Sequence, residues 1–189
     1  ILSETNDSVE HLGSVADYIE TDARFERAVE ACLSAVLQYI LVRHQDQVVE
    51  GLRLIRERNL GKCGFLIVEG AVRERTYHAP ANASVVPISS VVRITGPYAS
   101  AIERAINPAW VADSFEKAVA AAEIMTGNIA TRDGEVFRGP FLVEGGGKQG
   151  ERGILTTKRE IKELKASIAI AQDDVTRLGG EVSTLNATG

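Results

Sequence analysis

The stretch FRGPFLVEGGGKQG, residues 137–150, carries the residue types most suggestive of chemistry: a glycine run closed by a lysine. Such a run can wrap phosphate, because glycine lets backbone N–H groups converge and the lysine adds charge. The phosphate loop of nucleoside triphosphatases needs G-x-x-x-x-G-K-[ST]. Here Gly147-Lys148 is followed by Gln149, and the position five before Gly147 is Leu142. Gly61-Lys62 is followed by Cys63 and fails in the same way. A dinucleotide pattern can be laid over Gly145, Gly147 and Gly150, but Glu151-Arg152-Gly153 does not open a helix behind it. The histidines His11, His44 and His78 have no metal-binding spacing. Asp46, Asp113, Asp133 and Glu135 read first as turn and cap acids. No catalytic residue, metal or cofactor is expected.

Two other roles remain for the glycines. Seven of the seventeen fall between Gly134 and Gly153, and glycine in or beside a strand often marks close approach of another backbone. The run can serve strand-to-strand contact between two copies, or it can be a linker. Spacing alone leaves both open. A small α/β nucleotide-binding enzyme using the same loop is the alternative reading.

The elements that must position this stretch are α/β in character. A helix is expected from Thr21 or Asp22 through Val36, on the spacing of Phe25, Ala28, Val29, Cys32, Leu33 and Val36. YILV (39–42) reads as a strand. Val48, Val49, Leu52 and Ile55 mark a second helix, with Gly61 closing it. CGFLIV (63–68) reads as a second strand, 69–90 as irregular, and VVRI (91–94) as a third strand. YASAIERAI is a helix stopped by Asn107-Pro108. WVA reads as a strand, and DSFEKAVAAAEIM as a helix capped by Asp113 or Ser114. NIATR, Asp133-Gly134 and EVFR form a hairpin, followed by the strand FLVE. The expected divisions are a lead-in over 1–13, subdomains over 14–95 and 96–153, and a helical segment over 154–189.

In that segment Ile161, Leu164, Ile168, Ala171, Val175, Leu178, Val182 and Leu185 alternate spacings of three and four. A sustained heptad seam is the pattern of a coiled coil, which requires a partner helix. The opening ILSETNDSVEHLG is expected to be the remnant of an incoming arm. The net charge of −5 argues against general polyanion binding. Residues 148–165 nevertheless hold six basic side chains, Lys148, Arg152, Lys158, Arg159, Lys162 and Lys165, against three acidic ones. Cys32 and Cys63 are expected to be reduced thiols, and the chain to be cytoplasmic with no membrane partner.

Taken together, LGSVADYIETDARFERAVEACLSAVLQYILV, GKCGFLIV, VVRITGPYASAIERAI and TRDGEVFRGPFLVEGGGKQGERGILTTKREIKELK resemble the hinge domain of bacterial SMC (structural maintenance of chromosomes) proteins, over about residues 12–166. The closing block is the most specific part. The resemblance implies a two-subdomain hinge fold with small mixed sheets at the tip of a coiled coil. It implies a homodimer, with Gly134, Gly139, Gly145 and Gly146 at the contact. It also implies weak, sequence-independent DNA contact near the arm junction, a nucleoid location, and ATP bound only at a distant head domain outside this chain.

Overall fold

The computed structural model describes residues 11–69, 84–146 and 153–188, with side chains in the last helix to Val182. Residues to Leu155 group as one compact unit and residues from Thr156 as a second. The first unit is mixed α/β, with a five-stranded sheet and two two-stranded pairs.

The large sheet runs β4 (Val85–Pro87), β6 (Ala109–Ala112), β7 (Asn128–Thr131), β8 (Val136–Arg138) and β9 (Val143–Glu144). Its one parallel pair is β6–β7, and the others are antiparallel. Helix α1 (Glu26–Leu33) and helix α4 (Phe115–Ala122) both pack on the sheet. Successive strand side chains point to opposite faces. Ala109, Val111, Ala130 and Val136 accordingly join one core with Ala28, Val29 and Cys32 of α1. Trp110, Ala112, Ile129 and Phe137 join a second core with Ala118, Ala121 and Ala122 of α4. A strand covered on both faces must be apolar at every position, which explains the unbroken run AWVA.

The first core extends to residues on both sides of Thr95, from Val15 to Ile102 and Ile106. Two small pairs flank it. Strand β1 (Ile19–Thr21) runs antiparallel to β5 (Val92–Ile94), and β2 (Ile40–Val42) runs parallel to β3 (Phe65–Ile67). Helix α2 (Gln45–Arg58) connects β2 to β3, and α3 (Ala99–Ile106) follows β5. A Cβ on Gly51 would stand 2.6 Å from the Phe65 ring, so α2 approaches β3 there closely.

Several sequence expectations need correction. The helix expected through Val36 ends at Leu33, where Ser34 turns to φ 45° and a 3-10 segment continues to Gln38. The physical reason is at Cys32: its carbonyl, which a continuing helix would give to residue 36, accepts from Asn128 Nδ2 at 3.3 Å. Gly61 does not close α2. Asn59 takes the left-handed conformation, its N–H bonds the Arg56 carbonyl, and Leu60 N bonds the Ile55 carbonyl at 3.1 Å, a Schellman closure. The 69–90 stretch contains β4 and a 3-10 turn over Ile88–Ser90. Ser114, rather than Asp113, caps α4: its Oγ accepts from Lys117 N at 3.4 Å. Asp113 instead pairs with Lys117 and Arg132. Asp22 caps only a short 3-10 turn ahead of α1.

Both cysteines are free. Cys32 is buried, and that burial pushes its thiol up to about 12.

Gly127 has φ +98°, and a Cβ there would overlap the Pro108 backbone carbonyl. Gly127→Ala is expected to lower Tm by about 4–8 °C, which corresponds to about 2 kcal/mol in a domain of this size. Gly61→Ala, at φ +81° with open space around it, should lose clearly less. Equal losses in thermal melts would mean that backbone conformation alone, and not the Pro108 contact, governs the site.

Candidate functional site

The large sheet has two edges, and they differ. Strand β4 carries Pro87, which offers no N–H to a further strand. Strand β9 carries no such block. Natural sheets usually guard an edge with charge, proline or a bulge, because unpaired backbone groups recruit other chains. Here Phe141 is 97% exposed, and Leu142 and Val143 beside it are also exposed. Pro140 sits ahead of the strand rather than in it, and the Arg138 guanidinium forks onto Glu144 from Nε and Nη2 at 3.2 and 3.1 Å.

Local chemistry fixes the hairpin that presents this edge. The Thr131 amide donates to the Glu135 carbonyl at 2.8 Å, and Gly134 N donates to the Thr131 carbonyl at 3.2 Å. A Cβ added to Gly134, at φ +95°, would stand 3.9 Å from the Ala31 Cβ and from the Arg27 carbonyl of its own α1. Gly134 therefore makes the Asp133-Gly134 turn against its own helix. Gly139 (φ +77°) begins the β8–β9 turn, where Arg138 N donates to the Leu142 carbonyl at 2.9 Å. Gly146 (φ +87°) has open space where a Cβ would stand, and a Cβ on Gly145 would come 3.1 Å from Glu135 Cγ. Gly139, Gly145 and Gly146 thus lie along one hairpin, beside an apolar edge. The exposure of Phe141–Val143 could not be read from the sequence, because FLV reads the same whether a strand is covered or open.

Residues 147–152, and with them Arg152 and Lys148, the lysine of the glycine run, lie outside the described residues. The remaining basic candidates, Lys158, Arg159, Lys162 and Lys165, sit in the first turns of α5 (Ile154–Thr188). Arg159 pairs with Glu163 at 3.2 Å, and Lys165 is exposed. Further along α5, Ile161, Leu164, Ile168, Val175, Leu178 and Val182 are all exposed. An apolar stripe on a bare helix is a surface for another helix.

The root of α5 is held by a contact that the sequence did not signal. Leu155 is buried, and its N–H donates to Glu30 Oε1 of α1 at 2.6 Å. The first N–H groups of a helix lack partners within it, so a carboxylate there satisfies a donor and meets the positive helix end. A Cβ on Gly153 would overlap this carboxylate.

Among the described residues no three His, Cys, Asp or Glu side chains gather as metal ligands. His44 Nε2 lies 3.6 Å from Glu69, and His11 Nδ1 accepts from Gly13 N. Among the described residues no helix is long and apolar enough to cross a membrane.

The family model for SMC proteins Flexible Hinge Domain matches residues 9–122. The Chromosome partition protein Smc of Myxococcus xanthus is 31% identical over 178 residues, which is 85% of this chain and 14% of that protein. The protein of the same name from Koribacter versatilis is 27% identical over 177 residues, covering 87% of this chain and 13% of its own length. The chain therefore spans about a seventh of such relatives. Among solved structures, the Geobacillus stearothermophilus SMC hinge domain, crystallised as an asymmetric dimer, matches with TM-score 0.74 and 23% identity over 94% of this chain and 74% of that one. The Pyrococcus furiosus SMC hinge domain matches at TM-score 0.61 and 18% identity, covering 79% of each.

Glu30→Ala is expected to cost about 1–2 kcal/mol in urea unfolding, as a lost cap to a buried donor does. Gly153→Ala should cost a similar amount, because the flexible Glu30 side chain can swing away only by giving up the bond. The double variant should fall well short of the sum. Strict additivity would separate the two residues and remove Glu30 from the helix root.

Proposed function

The chain belongs to the family of SMC flexible hinge domains, and we propose that it is the homodimerisation hinge of a chromosome condensation and segregation SMC protein. On this reading two copies join through the β9 edge, and each carries a coiled-coil arm that begins with α5. The single observation that carries the proposal is the β9 edge: a strand that, among the described residues, pairs on one side only, with exposed Phe141, Leu142 and Val143 at its start and glycines at its turn and end. Gly139, Gly145 and Gly146 serve it by leaving no side chain between approaching backbones, while Gly134 serves the hairpin turn. The division of the hinge into 14–95 and 96–153 is part of the same proposal. So is its non-enzymatic role, with ATP handled by a separate head domain. The asymmetric dimer formed by the Geobacillus hinge supports self-association.

DNA contact is a second element of the proposal. Lys158, Arg159, Lys162 and Lys165, with Lys148 and Arg152, form a basic stretch at the start of the arm on an acidic chain. Contacts of this kind go to phosphates and carry no base information. They suit a nucleoid-associated protein that holds DNA without reading it.

Sedimentation equilibrium tests the dimer. The chain and a version ending at Lys158 are both expected to be dimers at micromolar concentration, and Gly145→Glu with Gly146→Glu a folded monomer. A dimer only in the longer chain would move the contact to the heptad seam and overturn the edge reading.

A salt series tests the DNA contact. Binding should weaken steeply with salt, and Lys162→Ala with Lys165→Ala should reduce the log–log slope by about 1 for each phosphate no longer neutralised. An unchanged slope would remove these two lysines from the interface.

A further inference from the structure

A cavity of about 460 Å³ lies where the end of α1, the loop after α3, the Gly127-Asn128 turn and Arg138 of β8 meet. That volume falls within the range of ~300–1,000 Å³ typical of small-molecule sites. Among its lining residues Arg138 carries the only charged side chain. Burial pushes the Cys32 thiol up, and the Arg138 charge acts on it in the opposite sense. Cys32 is a buried lining residue, so the field of the guanidinium reaches the cavity floor.

The other polar groups of the cavity are placed with some backbone expense. Ser34 lines it at φ 45° and ψ −120°, a region that suits glycine. Non-glycine residues held in such regions cluster at ligand clamps. Here the strained position presents a hydroxyl. Asn107 Nδ2 donates to the Glu103 carbonyl at 2.8 Å, and Asn128 Nδ2 to the Cys32 carbonyl at 3.3 Å. With its nitrogen engaged, each amide keeps its oxygen as an acceptor. One cation, two amide oxygens and a hydroxyl suit a ligand that is anionic at one end and carries O–H or N–H groups at the other. The Arg138 guanidinium also forks onto Glu144. That pair is open to solvent and holds its partners weakly, so a second anion can compete for it.

We propose that this cavity binds a small organic anion, a carboxylate or phosphate monoester that also carries hydroxyl or amino groups. The anionic group meets the Arg138 guanidinium, whose planar fork matches either oxyanion. The donors of the ligand meet the amide oxygens of Asn107 and Asn128, and the Ser34 hydroxyl donates to it. Binding draws Arg138 away from Glu144. Those two residues lie in β8 and β9, so occupancy loosens the ion pair that ties this hairpin together.

An NMR titration of the full chain tests this. The probes are glycerol 3-phosphate and glycerate, with inorganic phosphate and propionate as anions that lack the carbon-borne hydroxyls. Saturable shifts of the Ser34, Gly127 and Asn128 amides are expected at millimolar concentration. The tighter of the two hydroxylated anions identifies the charged group, and its Kd should lie about 10-fold below that of its bare counterpart. Arg138→Ala should raise that Kd about 10-fold, as loss of a charge-assisted hydrogen bond does. Glu144→Gln should lower it about 3-fold, because the competing carboxylate is gone. Ser34→Gly should weaken binding without lowering Tm, since glycine suits the backbone there. The proposal is overturned if neither hydroxylated anion gives saturable shifts in the native chain or in Glu144→Gln. Binding that survives Arg138→Ala overturns it as well. Equal affinity for bare and hydroxylated anions does the same, because it marks a surface charge and not a built site.

Discussion

Two strands covered on both faces organise this domain. At β6 and β7 every position must suit one of two different cores, and the period of two delivers that: Ala109, Val111 and Ala130 toward α1, Trp110, Ala112 and Ile129 toward α4. Trp110 is large and carries a polar group, and it can stand there because its Nε1–H reaches the Thr126 carbonyl at 3.0 Å. Small residues in α4 let that helix lie close to the sheet. The hairpin β8–β9 is then an extension of a rigid layer. Its outer edge has a fixed position because Val136 and Phe137 are locked into the two cores behind it.

That rigidity gives the exposed apolar residues their meaning. Single surface hydrophobics are ordinary. Phe141, Leu142 and Val143 are different because they are consecutive, sit on an edge and stand next to glycines that remove side-chain obstruction. The opposite edge, with Pro87 in it, shows the usual defence. Among the described residues the two edges therefore differ: one strand carries proline, and the other pairs on one side and carries none.

Much of this was legible in the sequence, and the failures have physical causes. Strong periodicity gave α3, α4, the β7–β8 hairpin and the heptad seam of α5. The extent of α1 was not legible, since its end depends on Asn128, 96 residues away, capturing the Cys32 carbonyl. The closing of α2 went to Asn59 rather than Gly61 because asparagine also tolerates the left-handed region. Strand β4 was hidden because Pro87 argues against a strand unless that strand lies at an edge. The glycine cluster could be found by inspection, but its division of labour could not: Gly134 faces its own α1, while Gly139 and Gly146 face open space. The resemblance of the closing block identified the family where spacing alone left two readings.

The arm helix poses a different physical problem from the domain that carries it. A helix of 35 residues, about 50 Å long by its rise per residue, gains from i,i+4 pairs such as Arg159–Glu163 and Arg177–Glu181. Each pair contributes only a few tenths of a kcal/mol, and Gly179-Gly180 removes about 1 kcal/mol per residue relative to alanine. Local terms therefore do not account for an exposed apolar seam of this length. Its stability has to come from a second helix along that seam, as in any coiled coil. Where the helix begins is a separate matter, settled inside the compact unit by Glu30, Gly153 and the buried Leu155. The chain thus fixes the start of this helix by a hydrogen bond to a residue 125 positions away and leaves the helix's length to be stabilised by pairing, a division that suits a helix whose partner must run alongside it.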